Sequence, residues 1–449
     1  MKDYIRIKRD GDSERNVLSF KLSLSKNMER YFTSKKLFVE YDVAVDTVDE
    51  SILQIPAIAG VITIAWAKGA DVYAEELDEK YLSSLKKISS IMEKWHPYFS
   101  WSSDIPVGKI VSNKFENTRY GLLFSSGVDS TTTYIRQRGK KPDLIHVLET
   151  DSQRALKKVE TEKIKRKLVE FAKHEEVGIH FIRTNIPPGI KPESILYEEF
   201  GLPWWTYVCY GIILTGLCAP LMVVNNIGSL FMASSWIPGI KFTDSPGYGD
   251  HPYIMNNLSW ANIKIHYDGY ELGRQQKLKI IKEYVNETGY YPNLRVCFLP
   301  QVDNCGKCEK CLKNICGMVL TGLDPNRLGF TNVNNKIFDL MKHSIVKAFQ
   351  RKHLIEKKAT LIGNYGNLFL FQDIQQNIPE KTNHLLYNSG WFFKWLADIN
   401  LLKLYNRSRD IRFYQLPKLA FFHLYNKLPR RLKTTLKNIL KPIRKTTIK

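Results

Sequence analysis

Residues 124–131, FSSGVDST, place hydroxyl groups, one carboxylate and a glycine between an apolar run and a helical run. Small residues let the backbone approach an anion, and N–H groups at a helix N-terminus point toward it. The segment therefore predicts a phosphate cradle, with an ordinary helix-capping turn as the alternative. It is neither a Walker A loop, since the lysine of that pattern is absent, nor a G-x-G-x-x-G loop.

A second cluster consists of cysteines spaced C-x7-C-x2-C-x2-C, and its members are Cys297, Cys305, Cys308 and Cys311. Two-residue spacers let neighbouring thiolates turn toward one ion, and Gly306 permits a tight turn. Four thiolates form a closed tetrahedral site, which suits structural Zn²⁺. An iron–sulfur cluster uses the same ligands and stays open as the alternative. Cys316 is expected to be a spare, and Cys209 and Cys218 to be core residues.

The long connection before the cysteines contains further candidates for chemistry. Asp250, His251 and His266 are candidates for substrate contact or proton transfer, and His266 with Asp268 could form a hydrogen-bonded pair. The alternative for Asp250 and His251 is that they only fix a turn.

The segment ELGRQQK places Glu271, Arg274 and Lys277 three residues apart. The two basic residues could hold phosphates or a carboxylate. An exposed helix face with an i,i+3 ion pair is the favoured interpretation.

The elements that position these residues alternate from Arg119 onward. RYGLLFSS, DLIHVLET, VGIHFIRT and SLFMASS predict strands, and helical segments lie between them. ANIKIHYD and LRVCF are candidates for further strands. This rhythm predicts an α/β fold with a doubly wound parallel sheet. Ligands of such sheets bind at the carboxyl ends of strands, where FSSGVDS would lie. MASSW would end another strand and face the same crevice.

Three regions are predicted along the chain: a small separate α+β domain over 1–112, a catalytic domain over 113–330 and a mainly helical basic extension over 331–449. The first contains short β-like runs, KLFVEYDVAV and GVITIAWA, and a helix over Glu76–Trp95. Trp204–Val224 carries no charge and is long enough to span a membrane, but its mid-chain position favours a buried helix. We therefore expect no membrane span.

The chain is strongly basic, with a net charge of +21 and a pI near 9.4. The last 49 residues hold 14 Lys or Arg against one acid, Asp410. This tail could bind nucleic acid, an anionic surface or a protein partner, or it could be a solubilising tail. The N-terminus shows no apolar segment typical of a signal peptide, so a cytoplasmic location is expected.

The segment 124–131 resembles the S-G-G-x-D-S loop of the PP-loop ATP pyrophosphatases. Ser125, Gly127, Asp129 and Ser130 match, while Ser126 stands where that family usually has its first glycine. The substitution is mild unless the position needs a positive φ.

The loop and the late cysteine cluster together resemble the 7-cyano-7-deazaguanine synthases (QueC-like enzymes), over about residues 119–330. The resemblance implies an adenine nucleotide α-hydrolase-like fold with a zinc knuckle at 297–311. It also implies binding of ATP and Mg²⁺, with Asp129 and Ser130 taking part in catalysis. The residues implied for ATP are Ser125, Ser126, Gly127, Val128, Asp129, Ser130 and Thr131.

The activity implied by the resemblance is that of an ATP-dependent ligase or amidase. A substrate carboxylate is adenylated and then captured by ammonia or an amine. The flanking regions resemble the enlarged QueC-like proteins of bacterial specialised or anti-phage defence systems, so the chemistry is implied better than a 7-deazaguanine substrate. A PP-loop tRNA-thiolating or sugar-amidating enzyme, and a nucleic-acid-binding protein with a degenerate loop, stay open as alternatives.

Overall fold

The computed structural model describes residues 2–11, 14–97, 99–148, 150, 156–186, 204–235, 249–297, 299–348 and 365–403. Within these ranges one eleven-stranded sheet runs in the order β10-β11-β9-β6-β7-β8-β3-β2-β1-β4-β5. The strands are β1 (Tyr4–Asp10), β2 (Val17–Leu24), β3 (Lys36–Tyr41), β4 (Asp71–Asp78), β5 (Val107–Val111), β6 (Arg119–Leu123), β7 (Asp143–Val147), β8 (Ile179–Thr184), β9 (Ile227–Ala233), β10 (Ser259–Trp260) and β11 (Ile263–Asp268).

The described helices lie on both faces of the sheet and beyond its edge. They are α1 (Glu50–Leu53), α2 (Ile55–Lys68), α3 (Glu79–Trp95), α4 (Val128–Gln137), α5 (Lys158–His174), α6 (Tyr210–Leu217), α7 (Ala219–Val224), α8 (Pro252–Met255), α9 (Arg274–Thr288), α10 (Glu309–Leu320), α11 (Lys336–Ala348), α12 (Tyr365–Gln376) and α13 (Gly390–Asp398).

The strands that position the site are parallel to one another. β6 pairs with β7 on one side and with β9 on the other, so Leu122 lies opposite both Leu144 and Phe231. β8 extends the sheet beyond β7, and β11 extends it beyond β9. The order of the strands therefore reverses beside β6, and ligands of such sheets bind outside the carboxyl ends of the strands at this point. The predicted α/β class with a large, mostly parallel sheet is confirmed, while the adenine nucleotide α-hydrolase-like assignment stays a prediction.

Apolar side chains fill the space between the sheet and its helices. On one face, Leu122 and Leu144 pack with Leu168 and Phe171 of α5. On the other face, α2, α6 and α7 are buried against the strands. This double cover explains why β7 has no exposed residue, as expected for a parallel strand buried on both sides.

The N-terminal segment continues the same sheet. β3 pairs antiparallel with β8, with Val39 opposite Thr184. The Tyr41 hydroxyl donates to the Leu217 carbonyl at 3.0 Å, and α2 packs against α6 within one apolar core. The sheet and the apolar core therefore continue across residue 112, and the division of the chain into three domains stays a prediction.

The run GVITIAWA, predicted as β-like, lies in helix α2. The prediction was wrong because it relied on the β-branched residues of this run. Tertiary packing overrides their preference for strands. Pro56 stands in the first turn and Gly69 closes the helix at φ +66°, and both are typical of helix ends. Because nearly every residue of α2 is buried, the sequence carries no amphipathic period that would reveal a helix.

The apolar run near residue 210 forms a π-helical turn, Trp205–Cys209, followed by α6 and α7. By length and composition, Trp205–Val224 could cross a membrane, and 72% of its most apolar window is buried inside the structure.

The C-terminal region is helical where it is described, in α11, α12 and α13. Helix α12 reaches back to the start of α9, because the Asp373 carboxylate accepts the backbone N–H of Gln275 at 2.9 Å. Most of the basic tail, residues 404–449, lies outside the described residues.

Candidate nucleotide and metal site

The loop after β6 is closed by its own hydroxyl groups. β6 ends at Leu123, and Gly127 stands at the N-cap of α4. The Ser125 backbone N–H donates to Ser130 Oγ at 3.2 Å, and the Gly127 N–H donates to Ser125 Oγ at 3.3 Å. The turn thus lies between a strand end and a helix N-terminus, where the sequence predicts it.

Ser126 adopts the left-handed conformation, with φ +55°. This is the position at which the resembled family usually has glycine. A non-glycine residue pays roughly 1 kcal/mol or more there because its Cβ crowds the backbone. The loop therefore keeps the turn that glycine would favour, at a conformational cost.

The side chains around the loop differ in what they can offer a ligand. Val128 packs in the apolar core, so its backbone alone could contribute to binding. Ser130 and Thr131 are buried. Thr131 Oγ1 has no hydrogen-bond partner among the described residues, and Thr131 lines a small cavity with Ser126 and Arg295.

Asp129 lies between two cations from helix α9. Lys277 Nζ is 2.7 Å from its Oδ1, and Arg274 Nη2 is 3.1 Å from its Oδ2. The Lys277 side chain is only 4% exposed, against 25% for Asp129. Both carboxylate oxygens are thus paired in this state, so direct Mg²⁺ ligation by Asp129 would require an ion pair to open.

The charges around Asp129 act on its pKa in opposite directions. Burial raises the pKa, because desolvation disfavours the carboxylate. Attraction to Arg274 and Lys277, the Lys277 hydrogen bond and a further contribution from Lys310 outweigh burial. The pKa of Asp129 therefore lies well below its ordinary value, and the group is ionised at neutral pH.

Lys277 also connects the loop to the end of β9. Its Nζ donates to the Ser234 carbonyl at 2.7 Å. Because β9 and β6 are parallel neighbours, the described residues 232–235 of MASSW end on the same side of the sheet as FSSGVDS. That they face one crevice stays a prediction, and Trp236 lies outside the described residues.

The interpretation of residues 271–277 as an exposed ion-paired face was wrong. Glu271 pairs with Arg136 Nη1 at 2.6 Å, while Arg274 and Lys277 turn toward Asp129. The alternative interpretation, in which these two basic residues face an anion, agrees with the geometry. The burial of Lys277 could not be predicted, because the sequence does not show that the start of α9 lies against α4.

Four sulfur atoms meet beyond this cation pair. The Sγ atoms of the predicted cysteines lie within 4.8 Å of one another, with Cys297 to Cys308 at 3.9 Å and Cys305 to Cys311 at 3.8 Å. A tetrahedron with metal–sulfur bonds of about 2.3 Å has edges of about 3.8 Å. The cluster therefore fits one metal ion such as zinc, and Cys316 lies outside it.

The local backbone supports this arrangement. Gly306 has φ +65°, so the C-G-K-C turn uses the freedom that glycine provides. The N–H groups of Lys307 and Cys308 donate to Cys305 Sγ at 3.4 and 3.1 Å. Contact with Cys308 and burial raise the pKa of Cys311 far above its ordinary value. The thiols can therefore ionise together only if a cation compensates their charge.

The segment that begins the cysteine cluster contacts the loop at 124–131 directly. The Arg295 backbone N–H donates to the carbonyl of Ser126 at 2.9 Å. The Asn304 side chain accepts the N–H groups of Val296 and Cys297. LRVCF, predicted as a possible strand, is not one at residues 294–297, and this segment instead joins the cysteine cluster to the left-handed residue of the loop.

Asp250 and His251 have separate roles. The Asp250 carboxyl is buried and accepts from the hydroxyls of Tyr267 at 2.9 Å and Ser235 at 2.8 Å. His251 caps helix α8 by accepting the Tyr253 N–H at 3.0 Å, so it fixes a turn as the alternative held. Burial lowers the pKa of His251 to about 3.

His266 and Asp268 do not form the suggested pair. His266 Nε2 lies 3.3 Å from Ser229 Oγ. Asp268 accepts from the Thr133 hydroxyl at 2.9 Å and from Gln137. Asp268 therefore anchors α4 to β11 and is not a proton partner of His266.

Comparison with known proteins adds no family assignment: no protein-family model matches the chain, and no curated protein matches it significantly. The fold and site therefore define an α/β protein with a mostly parallel sheet and a four-cysteine cluster able to hold a metal.

Proposed function

We propose that this protein is an ATP-dependent carbon–nitrogen ligase of the QueC-like PP-loop type. The observation that carries the proposal is the meeting of the Ser125–Thr131 loop, at the carboxyl end of β6, with Arg274 and Lys277 around Asp129. A backbone turn, hydroxyls and two cations held in one crevice suit a polyphosphate.

The charges at the loop support binding of ATP with Mg²⁺. The polyphosphate would compete with Asp129 for Arg274 and Lys277, because phosphate oxygens attract the same cations. Asp129 would then be released toward Mg²⁺, which neutralises charge on the phosphates when it is bound. The Ser125 and Ser130 hydroxyls and the N-terminus of α4 would hold the remaining phosphate oxygens.

The proposed reaction has two steps. A carboxylate oxygen of the substrate attacks the α-phosphorus of ATP, and the bond to the β-phosphate oxygen breaks, so pyrophosphate leaves. Ammonia or an amine then attacks the acyl carbon, and the C–O bond to AMP breaks, giving an amide. A 7-deazaguanine carboxylate is the first substrate to test, because the resemblance of the loop and cysteine cluster suggests it.

The cysteine cluster is proposed to hold zinc in a structural role. Four sulfurs within 4.8 Å surround a single ion, whereas sulfurs bound to different irons of a cluster stand farther apart. A closed set of four thiolates leaves no open position for a substrate. The ion would fix the segment that holds Ser126.

The second candidate is a binding protein with a degenerate loop, and the left-handed Ser126 favours it. The left-handed position of the loop favours glycine, but Ser126 occupies it. A protein of this kind would bind nucleic acid through its basic surface, with affinity that falls steeply as salt rises, and would not turn over ATP.

Pyrophosphate exchange tests the leading proposal. The protein is incubated with ATP, Mg²⁺ and labelled pyrophosphate, with and without 7-deazaguanine-7-carboxylate. Label should enter ATP only when a carboxylate is present, and Asp129→Ala should abolish the exchange. Absence of exchange with every carboxylate tried, together with salt-sensitive nucleic-acid binding, would favour the second candidate.

A further inference from the structure

A cation cluster and a buried carboxyl group both contact the residues that follow β9. The Ser234 carbonyl accepts a hydrogen bond from Lys277 Nζ, which also pairs with Asp129. The next residue, Ser235, gives both its backbone N–H and its hydroxyl to Asp250 Oδ2, at 3.3 and 2.8 Å. Two consecutive residues after β9 thus contact different groups: Ser234 contacts the cation Lys277, and Ser235 contacts the carboxyl group of Asp250.

Hydroxyl groups surround the buried carboxyl group of Asp250. Asp250 is 1% exposed. Its Oδ2 accepts from Tyr267 and Ser235, and the Tyr210 hydroxyl lies 3.0 Å from Ser235 Oγ. Asp250 Oδ1 has no hydrogen-bond partner among the residues described here.

This arrangement fixes the polarity of the exposed hydroxyl. A serine hydroxyl has one proton to donate and two lone pairs. Because Ser235 commits its proton to Asp250, it presents a lone pair to a ligand and can accept from an N–H group. Burial raises the pKa of Asp250 more than its hydrogen bonds lower it, so the carboxylate is a stronger base than an exposed aspartate.

We propose that Ser235, polarised by Asp250, binds the nitrogen nucleophile of the reaction, ammonia or a primary amine, beside the phosphate site. The inference rests on the proposed ligase function. The lone pair of the nitrogen forms the bond to the acyl carbon, and AMP departs with the electrons of the C–O bond. The nitrogen then passes one proton to Ser235 Oγ, which passes its own proton to Asp250 Oδ2. Ser235 is thus a catalytic residue and Asp250 a positioning residue.

Separate assays of the two half-reactions test this assignment, with 7-deazaguanine-7-carboxylate as the acyl substrate. Pyrophosphate exchange needs no nitrogen nucleophile, whereas amide formation does. Ammonium chloride and glycinamide serve as nitrogen sources in separate arms. Ser235→Ala should leave exchange within about 2-fold of wild type and raise KM for the nitrogen source by about 10-fold, as expected when one hydrogen bond is lost. It should also slow amide formation at saturating nitrogen source by about 100-fold, because the proton relay to Asp250 is broken.

Asp250→Asn should slow amide formation by about 100-fold or more, as expected when general-base assistance is lost, with exchange retained. Ser235→Thr keeps a hydroxyl and should restore most of the activity. Ser229→Ala removes another hydroxyl of β9, far from the crevice, and should change neither half-reaction. A preference for one arm identifies ammonia or a primary amine as the source, and use of either supports the site.

The failures of the two proposals are distinguishable. One outcome overturns the nitrogen site alone: the wild-type protein catalyses pyrophosphate exchange, and Ser235→Ala has an unchanged KM for both nitrogen sources. Equal losses of exchange and amide formation in Ser235→Ala and Asp250→Asn also overturn it, since they indicate a structural role. Absence of exchange in the wild-type protein overturns the ligase proposal and the nitrogen site with it.

Discussion

The cysteine cluster and the phosphate loop are assembled in different ways. The cysteines come from one short stretch, 297–311, and adjacent ligands meet across tight turns. The loop carboxylate of Asp129 meets its partners Arg274 and Lys277 from 145 and 148 positions away in the sequence. A site built from local spacing can be recognised in a sequence, whereas one completed by remote partners requires the fold.

The two regions also differ in how complete they are without a ligand. The four thiols lie within 4.8 Å of one another, so their ionised forms would need a cation to balance their charge. Asp129 already has both oxygens paired with cations. The cysteine cluster should therefore respond to metal loss mainly in stability, and the loop to mutation mainly in nucleotide affinity.

The largest effect should come from removing a cysteine ligand. In Cys308→Ser, bound metal should be lost and the free energy of unfolding should fall by more than about 4 kcal/mol, because metal binding is coupled to folding. Metal analysis and denaturant unfolding measure both quantities. The control is Cys316→Ser, which changes a buried cysteine outside the cluster and should retain the metal. Equal metal content in the two variants would contradict the assignment.

Lys277→Ala should have the next largest effect and should act mainly on ATP. It removes the buried partner of Asp129 and the donor to Ser234, so stability should fall by about 2 kcal/mol, with Arg274 still compensating part of the charge. ATP affinity measured by calorimetry should fall by about 10-fold or more. Lys279→Ala, on the exposed side of the same helix, is the matched control. Unchanged ATP affinity in Lys277→Ala would remove that lysine from the phosphate site.

Acid should destabilise the protein around two buried histidines, His96 and His251, before it disrupts the loop. Burial lowers the pKa of His96 to about 4 and that of His251 to about 3. Both stay neutral when folded while the unfolded chain takes up protons below about pH 6.5, so stability falls as pH decreases. The slope is up to about 1.4 kcal/mol per pH unit for each histidine. Because the pKa of Asp129 is lowered in the folded protein, the stability contributed by its ion pairs is retained until pH falls below the ordinary pKa of an aspartate.

Denaturant unfolding between about pH 7.5 and 5, with metal content followed in parallel, measures this slope. His96→Gln should reduce the slope of unfolding free energy against pH by the amount that one histidine contributes. A slope that stays unchanged in this variant, or stability that rises as pH falls, would show that these histidines do not cause the acid sensitivity.

The smallest effect should come from Ser126→Gly. Glycine relieves the left-handed strain, so stability should rise by about 0.5–1 kcal/mol, with ATP affinity equal or higher. Ser126→Ala removes the hydroxyl but keeps the strained φ, and comparison of the two variants separates conformation from chemistry. A loss of stability in Ser126→Gly would show that the hydroxyl matters more than the turn.

Much of the architecture was visible in the sequence. The apolar runs that became β6, β7, β8 and β9 are flanked by polar turns and helical segments, so their type and order were predictable. The turn at 124–131 and the four-cysteine cluster depend on short-range patterns, so their positions could also be predicted from the sequence. What they bind and catalyse stays a prediction.

Other features depend on contacts between distant segments. The pairing of β3 with β8 joins the N-terminal region to the sheet, and no local pattern announces it. Helix α2 is buried all round and lacks a helical period. Lys277 became important because the start of α9 packs beside α4, which no property of that lysine alone reveals.

The most direct test of the account is product analysis with ATP labelled at the α-phosphate. The protein is incubated with Mg²⁺, 7-deazaguanine-7-carboxylate and ammonium, and the labelled products are separated. The account predicts AMP, with pyrophosphate released in equal amount, and loss of both in Asp129→Ala. Labelled ADP, or intact ATP with every carboxylate and nitrogen source tried, would contradict it.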